Sequence, residues 1–166
     1  ASAGAGASAG DYSSTNIQVE GVDEADIVKN DGKYIYVVSG SKVIILNAFP
    51  AEEMEILSEI NVTGVSDMFI NGNKLIVFSS DYSQESTATA SIYDITDRSS
   101  PELEHEISVD GYYVTSRMIG DYVYLVANKY AGYDGPVMPM IAADGVSEKI
   151  AVTDVAYFPN HDSSYT

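Results

Sequence analysis

The sequence predicts an all-β protein built from repeated four-stranded antiparallel units, and three observations carry that reading. Three stretches share one grammar: NDGKYIYVV at 30–38, INGNKLIVF at 70–78 and MIGDYVYLV at 118–126 each place a tight turn before an alternating run. Their glycines, Gly32, Gly72 and Gly120, recur at intervals of 40 and 48 residues, within the span of about 20 to 50 residues that marks a repeat architecture. Each of the first two units also ends in a run, 52–62 and 102–109, where glutamates alternate with apolar residues.

The chain opens on ASAGAGASAG, which has too little side chain to pack and reads as a flexible Ala/Gly/Ser tether over 1–13. It is either a cloning remnant or the stalk of a surface protein whose anchor precedes it. Asp23-Glu24-Ala25-Asp26 then spells the acidic box of RNA helicases. Such a box works only with an upstream phosphate cradle ending in Gly-Lys-Ser/Thr, and that tripeptide occurs nowhere in the chain. With 25 acidic against 8 basic residues and a net charge of −17, the protein would repel a phosphate backbone. Nucleic acid is excluded as a partner.

The acidic letters instead lead into the first strand of the first unit. Asp31-Gly32 and Asn71-Gly72 are dipeptides that accept the positive φ of a hairpin turn, and Gly120-Asp121 is a looser version. After the first hairpin come KVIILNAF, Pro50 and EEMEILSEINV; after the second come ASIYDIT, Pro101 and ELEHEISV. Met54, Ile56, Ile60 and Val62 are expected on one face of the first acidic strand, opposite Glu53, Glu55 and Glu59. Leu103, His105, Ile107 and Val109 repeat the pattern against Glu102, Glu104 and Glu106. A glutamate row discourages pairing with another molecule, which makes these the outermost strands. Four antiparallel strands per unit of this length is the blade of a β-propeller. Tyr34/Tyr36 and Tyr122/Tyr124 alternate with aliphatics, as expected where blades stack and bury both faces. Blade one spans about 22–62, blade two about 63–109 and the start of blade three about 110–128, followed by a long insertion over 129–166 without strand alternation. The result is a partial propeller of about two and a half blades in residues 14–166. Its end faces, including Ile35, Val37, Val123 and Leu125, need another copy or the rest of the propeller to cover them.

The stretch STNIQVEGVDEADIVKNDGKYIYVVSGSKVIILNA, together with SRMIGDYVYLV and AYFPNHDSSYT, resembles a family of secreted β-propeller proteins of archaea and bacteria, distantly similar to WD-repeat propellers. The resemblance runs from about Ser14 to the end. It implies an extracellular or surface-anchored propeller with more blades than this chain supplies, and brings no established activity, cofactor or catalytic residue.

Catalytic signatures fail on inspection. His105-Glu106 begins a zinc-protease motif, but Val109 stands where the second histidine is needed. His161, the other histidine, reads as a loop residue beside Asp162. No cysteine is present, which excludes disulfides and thiolate chemistry, and no apolar run is long enough to span a membrane. No catalytic residue is assigned; a non-enzymatic role is the expectation, with the enzyme question left open. Asp23, Glu24 and Asp26 form either a solvated acidic turn or a cation site, for which calcium is the fitting cofactor. Lys29, Asp67 and Arg117 are candidates to line a polar channel taking a small charged ligand. Tyr130, Tyr133, Tyr157 and Phe158 of the insertion are candidates for a recognition surface with a protein or carbohydrate partner. Asn61 opens a glycosylation sequon, Asn61-Val62-Thr63. The expected function is an extracellular or cell-surface binding module. The alternatives are the propeller part of a secreted hydrolase and a structural subunit of a surface assembly.

Overall fold

The computed structural model describes residues 21–82, 86–129 and 138–156. They form three antiparallel sheets that do not close a ring. Blade one is β2 (Val28–Asn30), β3 (Tyr34–Val38), β4 (Lys42–Asn47) and β5 (Glu55–Asn61), in that order from the inside out. Blade two is β6 (Val65–Asn71), β7 (Lys74–Asp81), β8 (Thr87–Asp94) and β9 (Glu102–Asp110). The third sheet is β10 (Tyr112–Ile119) and β11 (Tyr122–Asn128), with the short β1 (Val22–Glu24) added to the inner side of β10.

Blade two is buried on both faces, and the period-2 alternation of its strands sorts the side chains. Met68, Leu75, Val77 and Ile95 pack with Tyr36, Val43, Ile45 and Ile60 of blade one. Phe69, Ile76, Phe78 and Ala90 pack on the other side against Tyr113, Met118, Val123 and Leu125 of the third sheet. Phe78 stacks on Tyr113 at 5.3 Å and meets Phe69 edge-on at 5.7 Å. Val123 and Leu125 are therefore interface residues rather than part of a free end face. On β11 the exposed apolar positions are Tyr122, Tyr124 and Val126, one residue out of phase, as strand geometry requires.

The acidic outer strands are less regular than expected. In blade one Ser58 lies opposite Ile45 while Ile56 lies opposite Leu46, so Leu57 is bulged. Ile60 and Val62 face blade two, whereas Met54 and Ile56 are exposed. Glu104 occupies the same place in blade two, between His105 opposite Ile92 and Leu103 opposite Tyr93. One inserted residue reverses the faces on its far side, which breaks each expected row.

The insertion departs further from expectation. It contains a hairpin, β12 (Met140–Ala143) and β13 (Val146–Lys149), that adds to the outer edge of blade two, with Ile141 opposite Val109 and Ala143 opposite Ile107. Thus β9 is not the outermost strand along its whole length. The hairpin turn is Asp144-Gly145, with φ of 49° and 81°, the positive-φ pair that a two-residue turn demands. Asp144 also fastens the hairpin, accepting the Glu106 N–H at 2.9 Å and meeting His105 Nδ1 at 2.9 Å. Those two bonds hold its carboxyl below the usual carboxylate range.

A second glycine signature emerges where the chain crosses from one blade to the next. At Gly64 a Cβ would stand 2.1 Å from the Ser80 carbonyl oxygen, and at Gly111 it would stand 2.8 Å from that of Asn128. Both glycines have positive φ, 68° and 121°. The crossing strand runs so close to its neighbour that only glycine fits. Gly64→Ala is expected to lower stability by roughly 2–4 kcal/mol, through backbone displacement plus left-handed strain. Gly40→Ala, where φ is 62° but nothing lies within 4 Å, should cost about 1 kcal/mol. Paired urea melts check the contrast, and equal losses would contradict the crossing geometry.

Candidate ligand cleft between blades one and two

The turns joining the inner strands of the blades lie at one end of the stack, linked by a hydrogen bond from Asn71 Nδ2 to Asp121 Oδ1 at 3.3 Å. Between blades one and two they surround a polar cleft of about 550 Å³, lined by Asp23, Lys29, Asn30, Asp31, Lys33, Tyr34, Ile70, Gly72, Asn73 and Arg98.

Asp31 organises the blade-one side. Its Oδ1 accepts the N–H groups of Lys33 at 3.2 Å and Tyr34 at 2.8 Å, closing the turn. Its Oδ2 accepts the Tyr36 hydroxyl at 2.9 Å and Arg98 Nη2 at 3.3 Å. Arg98 comes from the loop between β8 and β9 of blade two. It donates further to the Tyr36 hydroxyl, to Asn73 Oδ1 at 2.8 Å and to the Gly72 carbonyl. The loop that presents it is closed by Asp97, which accepts from Ser99 N and Oγ, and Ser58 of blade one donates to the Arg98 carbonyl at 2.6 Å. The guanidinium thus joins two blades, and burial pushes the Tyr36 phenol well above its ordinary value.

Lys29 is buried at the axis end of the cleft. It pairs with Asp23 at 2.8 Å, donates to the Glu24 carbonyl and lies 5.5 Å above the Phe69 ring. Because Lys29 is on β2, Phe69 on β6 and Asp23 on β1, this one ammonium links all three sheets.

The three carboxylates singled out in the acidic box part company. Asp23 and Glu24 sit on β1, opposite Met118 and Arg117 of β10, rather than on the innermost strand of blade one. Asp23 pairs with Lys29, Glu24 with Arg117 at 3.1 Å, and Asp26 Oδ1 accepts the Ile27 N–H at 2.7 Å. Among the described residues no three metal-binding side chains converge on a point. Of the channel candidates, only Lys29 lines the cleft. Arg117 also donates to Thr115 and the Ser116 carbonyl. Asp67 lies between blade two and the third sheet, where it accepts the Tyr113 hydroxyl at 2.9 Å, and that hydroxyl meets Ser116 Oγ at 2.8 Å. Burial raises the Asp67 carboxyl above its ordinary value. Asn61 is exposed at the end of β5. The tether, Tyr130, Tyr133, Tyr157, Phe158 and His161 lie outside the described residues. Sequence reasoning did not reach Arg98, whose partners Tyr36 and Asp31 are 62 and 67 positions away. The only local signal is the Asp-Arg-Ser-Ser-Pro turn that presents it.

Blades stacked face to face, with a polar cleft where their turns converge, define a repeat-built interaction fold. A family model described as "beta propeller domain" matches residues 12–166, and the chain belongs to that family. It is similar to an uncharacterized protein of Methanocaldococcus jannaschii, at 31% identity over 71% of this chain and 17% of the relative. It is also similar to an uncharacterized protein of Archaeoglobus fulgidus, at 29% identity over 93% of this chain and 26% of the relative. The chain therefore spans about a quarter or less of the curated relatives it matches. No solved structure matches it significantly.

Two substitutions probe the joints. Arg98→Met keeps the aliphatic stem but leaves the Asp31 carboxylate short of a cation, and should cost about 2–3 kcal/mol; a loss below about 0.5 kcal/mol would mean that the tether is ornamental. Asp67 probes the second joint through pH. Burial raises its folded pKa, so on acidification the native state takes up the proton first and stability gains as pH falls toward the ordinary carboxylate range. Asp67→Asn retains an acceptor for Tyr113 and should abolish that gain, flattening the urea midpoint over that acid range relative to the parent.

Proposed function

We propose that the chain is part of an extracellular or cell-surface binding module whose ligand enters the cleft between blades one and two. The observation that carries the reading is the cleft itself: turns from two blades converge on a concave polar site of about 550 Å³, within the range of about 300–1,000 Å³ typical of small-ligand sites. Its walls are fixed by Arg98, Asp31 and Lys29 rather than by mobile surface side chains. The surface assignment is supported by the strongly acidic composition, the Ala/Gly/Ser tract and the exposed sequon at Asn61. No helix among the described residues is long and apolar enough to cross a membrane.

The test uses the full-length polypeptide in two arms. On intact cells producing it, added protease should cleave the propeller; complete protection with lysis-dependent cleavage would overturn the surface assignment. On arrays of soluble glycans and peptides, the parent protein should retain at least one probe class about ten-fold more strongly than Asn73→Trp. Asn73 is exposed on the cleft wall, so the indole would obstruct the site without entering the core. Identical array profiles would overturn the cleft assignment.

A further inference from the structure

The charge of the cleft is out of keeping with the rest of the chain. Eight cations face 25 carboxylates overall, yet three of the eight, Lys29, Lys33 and Arg98, line this cleft against two carboxylates. Both carboxylates are already matched, Asp23 by Lys29 and Asp31 by Arg98. Lys33 is left over. Among the described residues its ammonium has no carboxylate partner and rests 4.9 Å from the Tyr34 ring centroid, with the Arg98 guanidinium 5.3 Å from the same centroid.

Hydrogen-bonding capacity is equally lopsided. Asp31 spends both oxygens on four donors. Arg98 can only donate, so it fixes the Asn73 amide with its oxygen toward the guanidinium, leaving the Asn73 NH₂ as a donor at the cleft wall. Lys33 adds three N–H groups. The ligand that satisfies this site supplies acceptors and one negative charge.

We infer that the cleft takes a small carboxylate-bearing, hydroxyl-rich ligand, a sugar acid of one or two rings, with Lys33 pairing its carboxylate and Asn73 donating to it. This rests on the cleft being the binding site proposed above. A single surplus cation matches a monoanion. A phosphate dianion would bring a second negative charge beside Asp23 and Asp31 in a chain of net charge −17, at a repulsive cost the site cannot offset. The volume exceeds what a bare carboxylate fills, and the Asn73 amide beside Ile70 and Tyr34 suits a ligand body that is polar at its edge and apolar on its face.

Calorimetric titration of the full-length polypeptide with galacturonate, galactose and inorganic phosphate tests the inference. Galacturonate is expected to bind saturably, galactose at least ten-fold more weakly, and phosphate not measurably. Lys33→Gln is expected to weaken the galacturonate complex about ten-fold and to flatten its salt dependence. Lys33 is exposed, so the variant should melt with the parent. Galactose or phosphate binding as tightly as galacturonate, no acid binding at all, or an unaltered Lys33→Gln complex would each overturn the carboxylate assignment. Asn73→Trp separates the two proposals. If it abolishes an array ligand that Lys33→Gln leaves untouched, the cleft stands and the carboxylate falls; if acid binding survives Asn73→Trp, both fall.

Discussion

Blade two has no solvent-facing side over much of its inner half, and that constraint propagates through the molecule. Leu75 and Val77 point into one interface while Ile76 and Phe78 point into the other, so this stretch of β7 has no face on which a polar residue could be solvated. A strand segment buried on both faces must read as a continuous apolar run, and LIVF does. The neighbouring strands then have to come close, which places glycines at the blade crossings and leaves each interface only narrow edges for polar atoms. Tyrosine suits those edges. Its ring fills apolar space and its hydroxyl reaches an acceptor at the rim. Tyr36 does this with Asp31 across the first boundary, and Tyr113 does it with Asp67 across the second.

The two boundaries solve the resulting charge problem differently. Asp31 receives a guanidinium, two backbone N–H groups and a phenol, so its negative charge is well matched. Asp67 accepts only a phenol among the described residues, and burial, which that bond does not offset, raises its carboxyl. The exposed clasp of Lys74 to Asp94 and Glu104 on blade two responds to acid with the sign opposite to that of Asp67. Chiefly because it accepts from Lys74, Asp94 titrates at about 2, and that stabilisation is present above its ordinary pKa and fades as pH falls toward 2.

The architecture was legible because its signals are local and repeat. Asp-Gly and Asn-Gly turns, alternating strands and a period of forty-odd residues needed only the sequence. The bulges at Leu57 and Glu104 were not legible, since one inserted residue leaves the composition of a strand unchanged while reversing the direction of every side chain beyond it. The hairpin at 140–149 carried the same Asp-Gly signal as the others, but its strands are four residues each, too short for alternation to stand out. The cleft lay furthest from sequence reasoning. Lys29 and Asp23 could be singled out as charges near the axis, but Arg98 enters from another blade through a contact that no spacing rule encodes.

The shape of the cleft and the packing of two blades are one mechanical quantity. Asp31, Lys33 and Tyr34 belong to blade one, whereas Gly72, Asn73 and Arg98 belong to blade two, so a change in the angle between blades opens or closes the site. The Arg98 tether sets that angle from one end, and the apolar contacts among Tyr36, Val43, Leu75 and Val77 set it from within. A ligand bridging Lys33 and Asn73 would touch both blades and share the load with Arg98. Any molecule that binds the joined blades better than the separated ones adds its binding free energy to the interface. Occupancy of the cleft and cohesion of the propeller are then thermodynamically linked, and the linkage runs through the same few side chains that close the turns.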